Sequence, residues 1–376
     1  MKSVLLCIVF MFCWDALAQE MRYLMRSPRA LLMGDAFTSI ADDEFTLYYN
    51  PAALAKNSGV SLSLFNPHIG LTNALDEEDR YKDFPSNDAA AIADRVLGFP
   101  LYLQGGIAPG FKFGPLGFSL IGNINTTLML RNAIHPFFDI DYRYDRGFAF
   151  GYAYTLGSGG NILASGKQQM GAQTAIGVGL KSISREGLQG SFDLFGTELL
   201  KKLSTSSTAG FSAIREELGY SKGQGYGVDL GFLHSYYSPN TDFSMGLSFL
   251  DIGDTRFKKE SGNDDIPVQQ MMANFGASWQ QDFTFFHYGI SMDIKPLNQP
   301  IPWQRKMHFG VQIGIPSLTL LAGYSEGYVS YGIEFNLWLF KINAGLYSVE
   351  LGHEFRQEEG SRGVFSIRLL DFSFDV

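Results

Sequence analysis

Apolar and polar residues alternate along much of this 376-residue chain with the two-residue period of a β-strand. Residues 116–130 place Leu, Ile and Phe on one face and mainly Gly, Ser, Thr and Asn on the other. Residues 141–156 repeat the pattern, with Tyr and Phe on one face and Asp141, Arg143 and Asp145 on the other. Such charges are costly in a dry core but are solvated in a lumen. The pattern predicts an all-β transmembrane antiparallel barrel, with the apolar row toward lipid.

Strands of this kind are predicted at about fourteen positions, and bacterial outer-membrane barrels have even strand numbers. They lie near 58–66, 101–113, 116–130, 141–156, 168–183, 222–236, 241–252, 268–281, 283–294, 305–315, 317–325, 328–337, 339–350 and 362–374. If the first strand runs outward, the long connections 67–100 and 184–221 are outer loops, whereas the inner connections are tight apart from 157–167. Barrels of this class have short periplasmic turns, so both ends of the barrel domain are predicted in the periplasm.

Residues 1–18 have the features of a secretory signal peptide. A charged start precedes an apolar run from Val4 to Trp14, and small residues precede position 19. The run is too short to cross a bilayer as a helix. We expect cleavage after Ala18. Because Cys7 and Cys13 both lie in this segment, the mature chain is predicted to lack disulfides and cysteine-ligated metals.

The composition argues against two classes of protein, nucleic-acid-binding proteins and helical membrane proteins. The formal net charge of −9 does not favour nucleic-acid binding, which needs a basic face. No run of eighteen apolar residues follows the signal, so a helical membrane protein is not expected. The 42 glycines and the 14% aromatic content fit a transmembrane barrel. A soluble, secreted all-β protein is the alternative.

No catalytic or metal-binding pattern is evident in the sequence. The six histidines lack metal-site spacing, and no serine lies in a nucleophile-elbow context. The acidic run 76–79 is interpreted as a solvated loop face, with a calcium site as the alternative. We therefore expect no enzyme activity, no cofactor and no bound metal.

The segment Ser27–Ala55 carries the most specific motif of the chain. Its matching elements are Arg29-Ala30, Met33-Gly34, Ala36-Phe37, Ala41-Asp42-Asp43 and Tyr49-Asn50-Pro51-Ala52-Ala53-Leu54. In these elements the segment resembles the N-terminal head of FadL-type outer-membrane proteins. The resemblance implies a plug, or hatch, over residues 19–57 inside a barrel formed by residues 58–376.

Asn50, Pro51 and Ala52 combine a side chain that bonds nearby backbone, a fixed φ and a small residue. This combination favours a turn held against a wall. Together with Gly34 and Asp42 of the same motif, these residues are the candidate plug or gate. Whether they form a fixed plug or a moving gate stays open.

Apolar residues recur at helical spacing in the predicted loop 184–221, which predicts amphipathic helices. They are Phe192, Leu194, Phe195, Leu199, Leu200, Leu203, Phe211 and Ile214. Exposed apolar side chains need either mutual packing or a ligand. The family resemblance implies an outer groove for long-chain fatty acids and other hydrophobic compounds, and packing between loops is the alternative.

The resemblance implies a transport protein of the cell outer membrane that passes hydrophobic, fatty-acid-like molecules. Its expected partners are outer-membrane lipid, lipopolysaccharide and hydrophobic small molecules; it is expected to be a monomer that binds no nucleic acid. The phrases Gly227–Gly231, Met245–Ser248 and Glu350–Gly352 are also similar to PorV-type barrels. That alternative implies an adaptor or shuttle for a secreted protein cargo.

Overall fold

The computed structural model describes residues 20–56, 59–73, 95, 97–132, 134–158, 170–193, 219–337 and 340–374. Within these ranges one antiparallel sheet has 17 segments. Three strands are interrupted, and each of these contributes two segments, so fourteen strands form the wall. The strands are β1 (Val60–Phe65 and His68–Thr72), β2 (Leu101–Ile107 and Gly110–Phe113), β3 (Leu116–Arg131), β4 (Phe137–Ser158), β5 (Gly171–Asp193), β6 (Ser221–Ser238), β7 (Thr241–Leu250 and Phe257–Gly262), β8 (Met272–Asp282), β9 (His287–Ile294), β10 (Met307–Ile315), β11 (Leu318–Ser325), β12 (Tyr328–Leu337), β13 (Phe340–Glu350) and β14 (Glu359–Phe374). Short helical segments are α1 (Pro28–Leu32), α2 (Trp303–Lys306) and the 3-10 turns Thr46–Tyr48 and Pro51–Ala55.

The sheet closes on itself because β14 pairs with β1. Val60 lies opposite Phe374, and His68 lies opposite Ser366. Each strand also pairs with the next one along the chain. The predicted antiparallel barrel of about fourteen strands is therefore confirmed.

The two ends of the barrel differ in their connections. One end, here called the turn end, has two-residue turns such as 114–115 and 316–317. The other, here called the loop end, has the long connections 73–100 and 194–220. Gly114 has a φ of 54°, a left-handed value that glycine adopts without strain and that suits so tight a turn.

The predicted outer loops 67–100 and 184–221 both begin too early. β1 continues to Thr72, across a break at Asn66 and Pro67. Pro67 lacks a backbone donor, but Asn66 replaces the lost ladder bonds, since its amide donates to Ala108 O and accepts from Ala108 N, both at 2.8 Å. The break therefore interrupts the strand without ending it.

β5 likewise continues ten residues beyond its predicted end, to Asp193. Its outer part pairs with β4 and β6, as shown by Gly187 opposite Ser221. Phe192 lies on this strand, opposite Phe138, and not on a loop helix. Sequence pattern missed the extension because Ser182, Ser184 and Glu186 interrupt the outward apolar row of β5 after Leu180.

The outer surface of the barrel is apolar. Every strand carries at least one large apolar side chain that is exposed outward. On β4 the exposed large apolar side chains include Phe148, Phe150, Tyr152, Tyr154 and Leu156. The residues between them, Ala149, Gly151 and Ala153, face inward and are buried. An apolar surface around a whole barrel is what a lipid-facing wall requires. The described residues contain no helix that is long and apolar enough to span a membrane.

Candidate functional site

Residues 20–56, here called the lumen segment, lie inside the barrel. Helix α1 contacts β11 to β14, whereas the turn Pro51–Ala55 contacts β4 to β6 on another part of the wall. The segment therefore crosses the lumen. Most of its side chains are buried, and its apolar ones form one hydrophobic cluster with inward side chains of the wall.

Asn50 holds the turn Pro51–Ala55 against the wall. Its side-chain oxygen accepts from Ala52 N at 3.0 Å, which caps the turn. Its side-chain nitrogen donates to Thr38 O within the segment and to Phe232 O on β6, both at 3.2 Å. One fully buried amide thus joins two parts of the segment to the wall.

Gly34 makes the corresponding contact on the other side of the lumen. Its amide donates to Ser330 Oγ at 2.9 Å, and its carbonyl accepts from His308 Nδ1 at 2.8 Å. Its φ is 61°, and a β-carbon there would lie 2.4 Å from Phe309 O. Only glycine fits this position without displacing the wall.

The wall meets the lumen segment with a row of inward glycines, here called the glycine row. It includes Gly177, Gly231, Gly246, Gly310, Gly323 and Gly332. A β-carbon on Gly177 would lie 2.2 Å from Ala52 N, and one on Gly323 would lie 2.0 Å from Gly34 N. Sequence reasoning missed this row, although its signal was present as glycines of inward parity on six strands.

Asp293 of β9 is a second contact that the sequence did not reveal. Its Oδ2 accepts from Phe37 N and Thr38 N, each at 2.9 Å. Two backbone donors of the segment are thereby satisfied by a wall carboxylate that is itself fully buried. Along the chain, the segment contacts β10 first, then Asp293 of β9, and then β6.

Near the loop end, the start of the segment is held by charge. Both carboxylate oxygens of Glu20 accept from the guanidinium of Arg362, at 2.6 and 2.8 Å. Arg22 bonds Glu20 at 3.0 Å and Asp141 at 3.1 Å. Burial alone would raise the pKa of Glu20, but Arg22 and Arg362 lower it to about 2.

At the turn end, Asp42 borders a cavity of about 320 Å³ between the segment and the wall. Its charged lining residues are Asp42, Asp43, Glu44, Lys112, Lys341 and Arg368. Asp42 forms an ion pair with Arg29 at 2.7 Å, and Glu44 forms one with Arg368. Burial raises the pKa of the half-buried Asp43 to about 7, and the neighbouring Glu44 adds to this shift.

The predicted outer groove lies almost wholly outside the described residues. Phe192 is the one member within the described ranges, and it is half-buried on β5. Leu194, Phe195, Leu199, Leu200, Leu203, Phe211 and Ile214 lie outside the described residues. Within the described ranges, no group of three or more His, Cys, Asp or Glu side chains is placed to hold a metal ion.

No protein-family model matches the chain, and no curated protein matches it. Among solved structures it is similar to the Ralstonia pickettii toluene transporter TbuX, at 11% identity over 93% of this chain and 99% of that one, with a TM-score of 0.44. It is also similar to the monoaromatic hydrocarbon channel CymD, at 12% identity over 95% and 99%, with a TM-score of 0.48. A third, at 8% identity over 95% and 100% and a TM-score of 0.30, is described as a Pseudomonas aeruginosa homologue of FadL, the family that Ser27–Ala55 resembles.

Proposed function

We propose that this chain is an outer-membrane transport protein that passes hydrophobic molecules through a barrel closed by the lumen segment. The apolar outer surface supports a place in lipid. The predicted signal peptide at residues 1–18 supports export across the inner membrane. Phospholipid and lipopolysaccharide are then the surroundings of the barrel, which we propose to be a monomer.

The filling of the lumen is the observation that carries this proposal. A general porin keeps an open, polar channel. Here the interior holds buried apolar side chains of the lumen segment instead. They include Leu31, Leu32, Met33, Phe37 and Ile40, each at most 3% exposed. A molecule that crosses must displace apolar contacts, and a hydrophobic molecule can replace them with its own.

At Gly34 and Asn50, the contacts of the lumen segment suit a part that is closed at rest and movable. Gly34 attaches it to the wall through two hydrogen bonds, of 2.9 and 2.8 Å, and Asn50 through one of 3.2 Å. Each such bond contributes about 1 kcal/mol net. We propose that Asn50, Pro51, Ala52 and Gly34 form the gate at these contacts, with Asp42 at the cavity toward the periplasm.

The predicted outer loop 184–221 is the proposed site of first binding at the cell surface. Phe192 and the apolar residues of 194–214 would collect hydrophobic molecules there, as the family resemblance implies. Substituting Leu199 and Leu203 by Asp would remove apolar surface from this loop. Uptake should fall while barrel folding, measured by heat-modifiable gel mobility, stays intact.

Reconstituted vesicles test the proposal directly. Vesicles that contain the protein should take up labelled toluene or a labelled fatty acid faster than protein-free vesicles, whereas labelled sucrose should not enter. Equal rates for the hydrophobic compounds with and without protein would contradict the conduit. If the purified barrel instead retains a secreted protein, the adaptor role takes the place of transport.

A further inference from the structure

The outer parts of four neighbouring strands, β4 to β7, continue past the apolar surface of the barrel at the loop end. On β12 the exposed apolar row reaches Val329, the second residue of the strand. On β4 the continuous row ends at Phe148, and the next outward residue is the exposed Arg146. Two residues of a strand span about 7 Å, and a layer of lipid headgroups is about 5 to 8 Å thick. The outward face beyond Phe148 therefore lies at the level of the headgroups.

One row of outward side chains crosses these four strands. Arg146 lies opposite Ser184 of β5, and Ser184 lies opposite Gln224 of β6. Gln224 in turn lies opposite Lys258 of β7. Gln224 and Lys258 are exposed, whereas the glycines on both sides of Gln224 are buried, so the row points away from the lumen.

Four cations share this side of the sheet and are here called the basic face. They are Arg146, Lys222, Arg256 and Lys258. Lys222 and Arg256 each stand two residues from a member of the row, and alternate residues of a strand point the same way. Phe257, between Arg256 and Lys258, points inward instead, since its ring centroid lies 4.6 Å from Cζ of the fully buried Arg185. Register and packing thus put all four cations on the outer wall.

Two cations of the basic face have carboxylate partners. Glu186 accepts from Arg146 at 2.6 Å, and Glu260 lies 3.7 Å from Lys222. The other two are exposed and form no ion pair with a carboxylate of the described residues. The basic face thus carries four positive charges against two negative ones, in a chain whose formal net charge is −9. Its complement is an anion from outside the chain.

The groups around these charges indicate which anion fits. The hydroxyl of Ser184 and the amide of Gln224 can bond the hydroxyls of a sugar. Tyr226 is 72% exposed on the membrane side of Gln224, where its ring can pack against the C–H face of a sugar ring. Arginine and lysine bind phosphate oxygens, and the apolar row beyond Tyr226 can hold acyl chains. The fitting ligand therefore combines phosphates, sugars and acyl chains.

We propose that the basic face binds a phosphorylated glycolipid of the outer leaflet. Arg256 and Lys258 bind its phosphates, Tyr226 contacts its sugar, and its acyl chains lie along the outward apolar rows of β4 to β6. The inference goes beyond transport, because the site lies on the outside of the wall and uses no residue of the lumen. It adds one fixed, charge-selected position to the general contact of a barrel with lipid, and it requires that the loop end faces outward.

Native mass spectrometry of the detergent-purified, folded protein tests the site with two probes that differ by one phosphate, diphosphoryl and monophosphoryl lipid A. EDTA is present throughout, so that divalent ions cannot bridge phosphates to Glu186 or Glu260. The wild-type protein should bind the diphosphoryl form about tenfold more tightly, the range of a hydrogen bond to a charged group. Arg256→Gln combined with Lys258→Gln should bind that form about thirtyfold less tightly than the wild type, because two cations beside anionic lipid are lost.

The matched control is Lys259→Gln combined with Arg356→Gln, which removes the same charge from exposed loop-end positions outside the basic face. Lys259 lies opposite Gly223, on the other side of the sheet from Lys258, and Arg356 lies in the connection between β13 and β14. The control should keep the wild-type affinity. An equal loss in both double variants would show that overall charge attracts the lipid, and it would overturn the site.

Three other results overturn the inference. They are equal binding of the two lipid A forms by the wild type, wild-type affinity in the variant that lacks Arg256 and Lys258, and binding of phosphatidylglycerol as tight as that of diphosphoryl lipid A. The last result would mean that any anionic lipid suffices. Uptake of toluene by phospholipid vesicles without glycolipid decides the transport function separately, so either proposal can fail alone.

Discussion

A β-carbon on Gly177 would lie 2.2 Å from the amide nitrogen of Ala52, so β5 and the lumen segment meet backbone to backbone. The same is true across the lumen, where a β-carbon on Gly323 would lie 2.0 Å from Gly34 N. Real β-carbons do not approach other atoms so closely. The segment can therefore occupy this position because the wall glycines have no side chains there. The hydrogen bonds between the segment and the wall then hold it in place.

Gly177→Ala is expected to displace the turn Pro51–Ala55 from the wall. Overpacking of a close contact costs about 1 to 3 kcal/mol, and here the neighbouring atoms are backbone and cannot rotate away. Ion conductance in planar bilayers should rise as the lumen opens. Gly157→Ala is the matched control on the adjacent strand, because nothing lies within 4 Å of its β-carbon position. Closed channels in both variants would mean that the turn does not seal the lumen at Gly177.

Asn50→Ala is expected to loosen the same turn by a different route. The change removes three hydrogen bonds and leaves the carbonyls of Thr38 and Phe232 without this donor. Unsatisfied buried groups cost about 1 to 3 kcal/mol each, so the segment should open while the strands stay paired. Limited proteolysis of the folded protein measures this opening. Asn240→Ala, at an exposed turn-end position, should leave the cleavage rate unchanged.

The sequence could predict the wall better than the site. Alternation on β3 and β4 indicated which face is outward, because a period of two is a local property. The end of β5 could not be found in this way, since pairing beyond Leu180 is fixed by β4 and β6 and not by an apolar face. The roles of Asp293 and the glycine row depend on which wall strand the segment passes, and that is known only once the chain is folded.

Glu20→Gln is expected to weaken strongly the attachment of the lumen segment to the wall near the loop end. It leaves the buried Arg362 without its carboxylate, and breaking such a pair costs about 3 to 5 kcal/mol. The pKa of Glu20 is lowered from 4.5 to about 2. Its contribution is therefore fully present above pH 4.5 and is lost as the pH falls through 2.

Urea unfolding in detergent at several pH values measures this contribution. The difference in unfolding midpoint between wild type and Glu20→Gln should be largest above pH 4.5 and should shrink toward pH 2. Glu260→Gln is the control, since its pair with Lys222 is 3.7 Å long and exposed, and such pairs contribute at most about 1 kcal/mol. A pH-independent difference would show that the Glu20 charge is not the cause.

Single cysteines test which end of the barrel faces outward. Glu354→Cys lies in an exposed loop-end connection, and Asn240→Cys lies in an exposed turn. Both native cysteines lie in the predicted signal peptide, so each variant should carry one thiol after export. A membrane-impermeant maleimide should label Glu354→Cys on intact cells and Asn240→Cys only in broken ones. The reverse result would invert the predicted orientation.

Phe150→Arg tests the lipid-facing surface. Phe150 is 41% exposed in the middle of the outward apolar row of β4. An arginine near the bilayer midplane of a barrel costs about 2 to 4 kcal/mol, so the folded fraction in lipid vesicles should fall. Gly151 on the inward face is no neutral control, because a β-carbon there would meet Leu47 Cδ2 at 2.3 Å. Ile134→Arg serves instead, since Ile134 is 82% exposed in a loop-end connection where a charge meets water. Equal folding of the two arginine variants would mean that the outward row of β4 does not face lipid.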